Sequence, residues 1–365
     1  MSTDTTATAA KRPDTPSEPQ PGRGRRLLDL ILTERVALLA VLLVLVVVWF
    51  YVLGQQGYLV APYDTDYLAS ALDTMVPLCL LALAELVVIV SGRGGIDLSV
   101  GSIVSLSGMA FGFMVGQWQW PVLPALVATV AVGAALGAIN GLLIAYLGFP
   151  ALIATLATFY AYGALALLMN NNAPISTKPI QDLHAITRAI SIPLLGDSIP
   201  DLPLQVATFL LPVIVVVWLL VNRTVYGRKL YAVGTNDIAA RFANIPVRRS
   251  RLLAYLVSGL LSGVVAVVTV AQFASARPDA GSVGNGMALP AITIAVLGGV
   301  AITGGVGRVA GVILAALLVV WLNAGILLAF EGSDGSQYQL FALGGLLILS
   351  ALLNAYSTRR GRGGA

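Results

Sequence analysis

Ten apolar runs dominate the sequence, near residues 36–53, 67–90, 101–116, 121–147, 150–169, 204–221, 252–273, 289–302, 309–328 and 338–353. A helix needs about 20 apolar residues to cross the roughly 30 Å of hydrocarbon in a bilayer, so these runs predict membrane spans. The third, eighth and tenth are short, which predicts broken, tilted or re-entrant segments there. Only 10% of the 365 residues are charged, against about 25% in a soluble domain. The expected fold class is an all-α polytopic membrane protein of about ten transmembrane helices.

Charge placement tests that count. With the N-terminus inside and the spans alternating, 18 of the 21 basic residues fall inside, and only Lys178, Arg188 and Arg277 fall outside. That is the bias the positive-inside rule demands, and both termini are then cytoplasmic. Residues 1–26 are rich in Thr, Pro, Ser, Gly and charge, and read as a disordered cytoplasmic tail. The apolar run that follows is too long for a signal peptide. The membrane domain is expected over 27–356, with a short cytoplasmic tail over 357–365. Two loops are long: 170–203 outside, with an amphipathic piece near Asp182–Ile190, and 222–251 inside. In the latter, Asn236–Asn244 reads as a short helix with Asn236 as N-cap and Ile245-Pro246 as its end. Small residues at Ala239, Ala240 and Ala243 would let one face approach a partner closely.

Much chemistry is excluded. One cysteine (Cys79) and one histidine (His184) rule out disulfides, cysteine metal clusters and His-rich metal sites. The three lysines sit in no G-x-x-x-x-G-K-[ST] loop, so the chain does not bind and hydrolyse ATP in the P-loop manner. Gly305-Val306-Gly307-Arg308-Val309-Ala310 matches a dinucleotide pattern but follows no strand, so it reads as a turn between apolar helices. No catalytic residue, metal, cofactor or nucleic-acid partner is expected for this chain, and His184 reads as a solvated loop residue.

Glycines recur at four-residue spacing, at Gly108/Gly112/Gly116, Gly133/Gly137/Gly141, Gly259/Gly263 and Gly307/Gly311. Close backbone approach between helices is the packing this spacing serves. Intramembrane charge is confined to Glu85, Arg93 and Asp97; each is costly unless it finds a partner or a wet cavity. A vestibule or a pairing with Arg93 would hold Glu85. The stretch Gly94-Gly95-Ile96-Asp97-Leu98-Ser99-Val100-Gly101-Ser102 reads as a tight re-entrant turn, with Asp97 and Ser99 capping the helix that follows.

That stretch resembles the G-I-D-L-S-V-G-S signature of the permease subunits of bacterial ABC sugar importers, the ribose/xylose/galactose type. Three further segments are similar to the family's motifs, in the same order. Phe149-Pro150-Ala151-Leu152-Ile153-Ala154-Thr155-Leu156 resembles P-A-F-I-A-T-L, and Tyr226–Asn236 resembles G-R-x-x-Y-A-x-G-x-N. Leu297-Gly298-Gly299, followed by Gly304-Gly305-Val306-Gly307-Arg308, resembles L-G-G…G-G-x-G-R. The likeness covers about 36–355, and departs from the family at Arg93-Gly94 and at Glu85.

The resemblance implies a permease domain over 27–356 that pairs with a second permease copy, identical or different. It also implies cytoplasmic ATP-binding subunits, which carry ATP and Mg, and an extracytoplasmic sugar-binding protein. The 222–251 loop would couple to the ATPase through Gly234, Asn236, Ala240, Arg241 and Ile245. The signature turn would comprise Gly95, Asp97, Ser99, Gly101 and Ser102. Asn140, Thr155, Phe159, Tyr160, Gln272 and Asn323 are candidates to line a weak, uncharged pathway for a pentose or hexose. Permeases for branched-chain amino acids or nucleosides are the nearest alternative, and an ion-coupled carrier working alone is the more distant one.

Overall fold

The computed structural model describes residues 35–187, 189–190, 200–281, 286–330 and 332–362. The tail predicted over 1–26 and the last three residues of the one predicted over 357–365 lie outside these residues, while 357–362 continue the last helix. Among the described residues, nine helices are long and apolar enough to cross a bilayer. In chain order these are α1 (Arg35–Gln55), α2 (Thr65–Ser70) running into α3 (Leu72–Val90), α4 (Val100–Gly112), α5 (Val122–Ala145) and α6 (Ala151–Met169). Then come α7 (Lys178–Asp182), α8 (Leu211–Arg223), α9 (Val225–Thr235), α10 (Asp237–Phe242) and α11 (Val247–Phe273). The last three are α12 (Ala288–Leu297), α13 (Val309–Ala329) and α14 (Ser333–Arg362). Single π turns, Phe113–Gln117 and Val206–Leu210, lengthen α4 and α8 into spans. The only sheet among the described residues is a two-residue antiparallel pair, Ala189–Ile190 (β1) with Leu202–Pro203 (β2).

Burial sorts the helices into an interior and a shell. The apolar window through α2–α3 is 83% buried and that of α11 72%, whereas those of α1 and α14 are each 11% buried. A helix that is apolar all round yet exposed in water would aggregate; facing lipid, it needs no cover. Two faces follow. The start of α1, the α3–α4 turn and α9–α10 share a basic face, and 170–187 lies on the opposite one.

Of the three spans expected to be short, two are corrected and the eighth is short as expected, though its helix ends earlier. The third span is not short: it becomes an 18-residue helix, Val100–Gln117, that begins inside the membrane beyond the turn at 91–99. The tenth is not short either, because its apolar helix begins at Ser333 rather than near 338. The eighth, expected over 289–302, is a helix of only 10 residues, or about 15 Å. It ends at Gly298-Gly299, where Gly299 has φ 93°. The described residues 274–281 enter the bundle ahead of it: Ile175 and Ala276 form a bridge at the opposite face, and Gly281 N–H donates to Ser105 Oγ at 3.0 Å, inside the bundle. At that depth a Cβ on Gly101 would strike Gly281 O, and a Cβ on Gly281 would strike Gly101 O. The turn at Gly281 therefore packs on the first turns of α4 inside the bundle, where non-helical backbone survives only when buried in protein.

The four-residue glycine spacing is used within the chain. Along the α5–α11 crossing, a Cβ on Gly137 would lie 2.8 Å from Gly259 Cα and would also strike Tyr255 O. Gly344 on α14 has nothing within 4 Å of such an atom. Gly137→Val is expected to cost about 1–3 kcal/mol or more by overpacking and to lower the thermal transition of the purified protein in detergent. Gly344→Ala should leave that transition in place.

Candidate functional site

The turn between α3 and α4 carries the signature, and its side chains build a hydrogen-bond relay through four helices. Asp97 Oδ1 accepts from Ser99 N–H at 3.1 Å and from Ser99 Oγ at 2.6 Å, while Asp97 Oδ2 accepts from Ser258 Oγ at 2.9 Å. Asn140 Nδ2 donates to Ser99 Oγ at 2.7 Å, and Thr158 Oγ1 donates to Asn140 Oδ1 at 2.7 Å. Glu85 Oε2 accepts from Asp97 N–H at 3.3 Å. Glu85, Asp97, Ser99, Asn140 and Ser258 are wholly buried. Ser258 lies eleven residues into α11, about 16 Å along its axis, so the turn dips deep into the bundle. Tyr255 OH donates to Ile96 O at 3.5 Å, and Thr155 Oγ1 to the same carbonyl at 3.4 Å.

Two expectations are revised here. Ser99 is the N-cap residue of α4 but makes no side-chain capping bond, because its hydroxyl is committed to Asp97 and Asn140. Glu85 does not pair with Arg93, whose Nε lies 3.3 Å from Asp237 Oδ2 instead.

On the basic face, three loops converge. Gly305 N–H donates to Val90 O at 3.1 Å. A Cβ on Gly92 would lie 2.9 Å from Gly234 Cα, and one on Gly304 would strike Gly92 Cα. Gly92 and Gly304 have φ of 80° and 94°, in the left-handed region that glycine enters without strain. Tyr231 OH donates to Gly307 O at 2.8 Å. Burial pushes the Tyr226 and Tyr231 phenols above their ordinary range, so both remain neutral donors.

Beside this knot stands α10. Asn236 Oδ1 accepts from the N–H groups of Ile238 and Ala239 at 3.1 and 3.0 Å, the cap the sequence predicts. The helix stops at Phe242, earlier than expected, because Asn244 takes a left-handed conformation (φ 57°) before Pro246 is reached. Asp237 Oδ2 lies 3.3 Å from Arg93 Nε, 3.4 Å from Arg251 Nη2 and 3.9 Å from Arg241 Nη2. Arg251 Nε also donates to Ser91 O at 3.4 Å. One carboxylate thus ties α10 to the signature turn and to α11. Ala240 is buried against Val233 and Val247, Ile245 packs beside them, and Arg241 is exposed. At the tip, Phe242 is 90% exposed and Ile238 64%.

The structure therefore brings Asn140 and Thr155 to Asp97 and Ser99, and places Gly234, Asn236, Ala240, Arg241 and Ile245 on one platform. Gln272 lines a separate cavity near the opposite face. Phe159 and Tyr160 pack ring edge to ring face at 5.2 Å, with Tyr160 exposed on the outside of α6. Asn323 is half-buried on α13, and its carbonyl accepts from Gln339 at 3.1 Å. Sequence reasoning missed Ser258 and Tyr255, which look like any packing residues of an apolar helix. It also missed Asp237, although an acid four residues before Arg241 was a legible signal.

Fold and site define a polytopic permease with re-entrant segments and a polar platform on one face. The profile described as "Branched-chain amino acid transport system / permease component" matches residues 67–351, and the chain belongs to that family. It is 35% identical over 292 residues to the "Autoinducer 2 import system permease protein LsrD" of Photorhabdus laumondii, covering 80% of this chain and 83% of that one. The protein of the same name from Photorhabdus temperata is 34% identical over 321 residues, covering 86% and 89%. That from Yersinia enterocolitica is 35% identical over 297 residues, covering 81% and 86%. No solved structure matches. The chain is the permease component of an ATP-binding-cassette importer, a multi-pass protein of the bacterial inner membrane whose ATPase is a separate subunit.

Ser258→Ala removes a donor from a buried carboxylate, and is expected to cost about 1–3 kcal/mol, read as a lower thermal transition. Ser258→Thr keeps the hydroxyl and should recover most of the loss.

Proposed function

We propose that this permease conducts a small, neutral, sugar-like solute inward, autoinducer 2 or a monosaccharide of pentose or hexose size. The observation that carries this reading is the identity, extending over four fifths of the chain, with permeases named for autoinducer 2 import. The signature turn supports it. In this reading the basic face is cytoplasmic, and a second permease copy completes the membrane unit. A binding protein delivers solute to the opposite face.

The ATP-binding subunits, holding ATP and Mg, engage the exposed Phe242 and Ile238 at the tip of α10. Closure of those subunits on nucleotide displaces α10, and Asp237 passes the movement through Arg93 and Arg251 to the turn at 91–99. Gly234, with no side chain, lets the platform sit directly on Val90 and Gly305. The arrangement needs no tight solute site, since a permease that held its cargo firmly would release it slowly.

The test uses the permease, its ATP-binding subunits and the binding protein in proteoliposomes, with a panel of autoinducer 2, pentoses, hexoses and branched-chain amino acids. Stimulated ATP hydrolysis and inward transport of one sugar-like solute are expected. Response to a branched-chain amino acid alone would replace the substrate class with the one in the family's description. Uptake that needs a proton gradient and no ATPase would overturn the importer reading itself. Asp237→Ala is expected to reduce solute-stimulated hydrolysis several-fold while unstimulated hydrolysis persists. Asn236→Ala, losing its cap, should weaken α10 by about 1 kcal/mol and reduce stimulation less.

A further inference from the structure

We propose that each protomer carries its own binding site for a polyhydroxylated solute near the opposite face, in the cavity between α3, α11 and the turn at Leu183–Ile186. This cavity has a volume of about 480 Å³ and is lined by Asp73, Pro77, His184, Gln272 and Phe273 among others. That size is ordinary for a small-molecule site, typically about 300–1,000 Å³. The proposal rests on the importer reading above only for which face is external.

The polar wall is built where Pro77 removes one backbone hydrogen bond from α3. Pro77 has no N–H, so the carbonyl of Asp73, four residues earlier, lacks its helical donor. Gln272 Nε2 replaces it at 2.7 Å, and also donates to Gln205 Oε1 at 2.9 Å. Gln205 is wholly buried, and its own amide donates to Asp73 Oδ1. Both protons of the Gln272 amide and one oxygen of Asp73 are thereby committed. Asp73 Oδ2 and Gln272 Oε1 accept nothing among the described residues. Two preset acceptors on one wall call for a ligand that donates hydrogen bonds.

The other walls narrow the class. Phe273, 49% exposed, and Pro77 offer apolar surface of the kind the C–H face of a sugar ring covers. His184 stands near Ala271 O and Thr187 Oγ1, both at 3.3 Å from its Nδ1. Among the described residues the lining holds no lysine or arginine, and the Arg277 guanidinium lies over the Phe273 ring at 5.3 Å with its Nε 3.7 Å from Asp279 Oδ1, so an amino acid's carboxylate would enter facing Asp73 at an electrostatic cost. Hydroxyl groups meet no such cost.

The single native cysteine, Cys79, is buried, which makes thiol chemistry a clean probe. Thr74→Cys places a thiol on the cavity wall. In spheroplasts expressing the full importer, a membrane-impermeant thiol reagent is expected to label it from outside. A solute at about ten times its dissociation constant should slow labelling roughly tenfold, since only the empty fraction reacts. Asp73→Asn in the same background should raise the protecting concentration.

The panel of the transport assay is used here too. A sugar that protects supports the site even if no panel solute is imported, in which case only the proposed transported solute falls. An imported sugar that fails to protect overturns the site and leaves the importer reading standing. Failure to label from outside overturns the site, and protection by leucine but by no sugar overturns its ligand class.

Discussion

The structure depends on the contact of three backbones on the basic face, where Gly92, Gly234 and Gly304 leave no room for a side chain. Van der Waals contact at this distance is weak per atom but rigid collectively, because dense packing has no slack to take up a shift. The contact fixes the end of α3, the end of α9 and the turn before α13 as one body. Asp237 then adds charge to shape. Set among three arginines, it fastens α10 to the same body, so a force on the exposed tip of α10 reaches the signature turn without crossing a flexible loop.

The interior is organised by the need to bury carboxylates and irregular backbone in a region without water. Asp97 is tolerated because two hydroxyls and a backbone N–H surround it, and the relay to Asn140 and Thr158 satisfies those donors in turn. The same logic operates near the opposite face, where Gln272 repairs the gap left by Pro77 and Gln205 orients Asp73. In both places helical hydrogen bonding is lost, at the turn after α3 and at Pro77 within it, and side chains from α11 supply partners. Two well-buried long helices, α3 and α11, therefore carry the polar groups on which the irregular segments depend.

Much of this was legible in the residue order. Apolar runs long enough for lipid placed the spans. Asn236 announced the cap of α10, and four-residue glycine spacing announced close helix crossings. Other features were not legible, because their signals belong to pairs of distant residues. Ser258 and Tyr255 look like packing residues until Asp97 and Ile96 are found beside them, 161 and 159 positions away. The pairing of Arg93 with Asp237 rather than Glu85 likewise depends on where α10 lands.

The sequence by itself determined the class: hydrophobic length and periodicity are local properties, and lipid leaves a continuous apolar run little choice but a helix. The tertiary structure alone decided which glycines meet, which carboxylates are satisfied and that the helix at α12 is only 10 residues long. Those outcomes follow from the mutual exclusion of atoms brought together by folding. A glycine records only that a side chain is absent, and says nothing of the neighbour that takes the space.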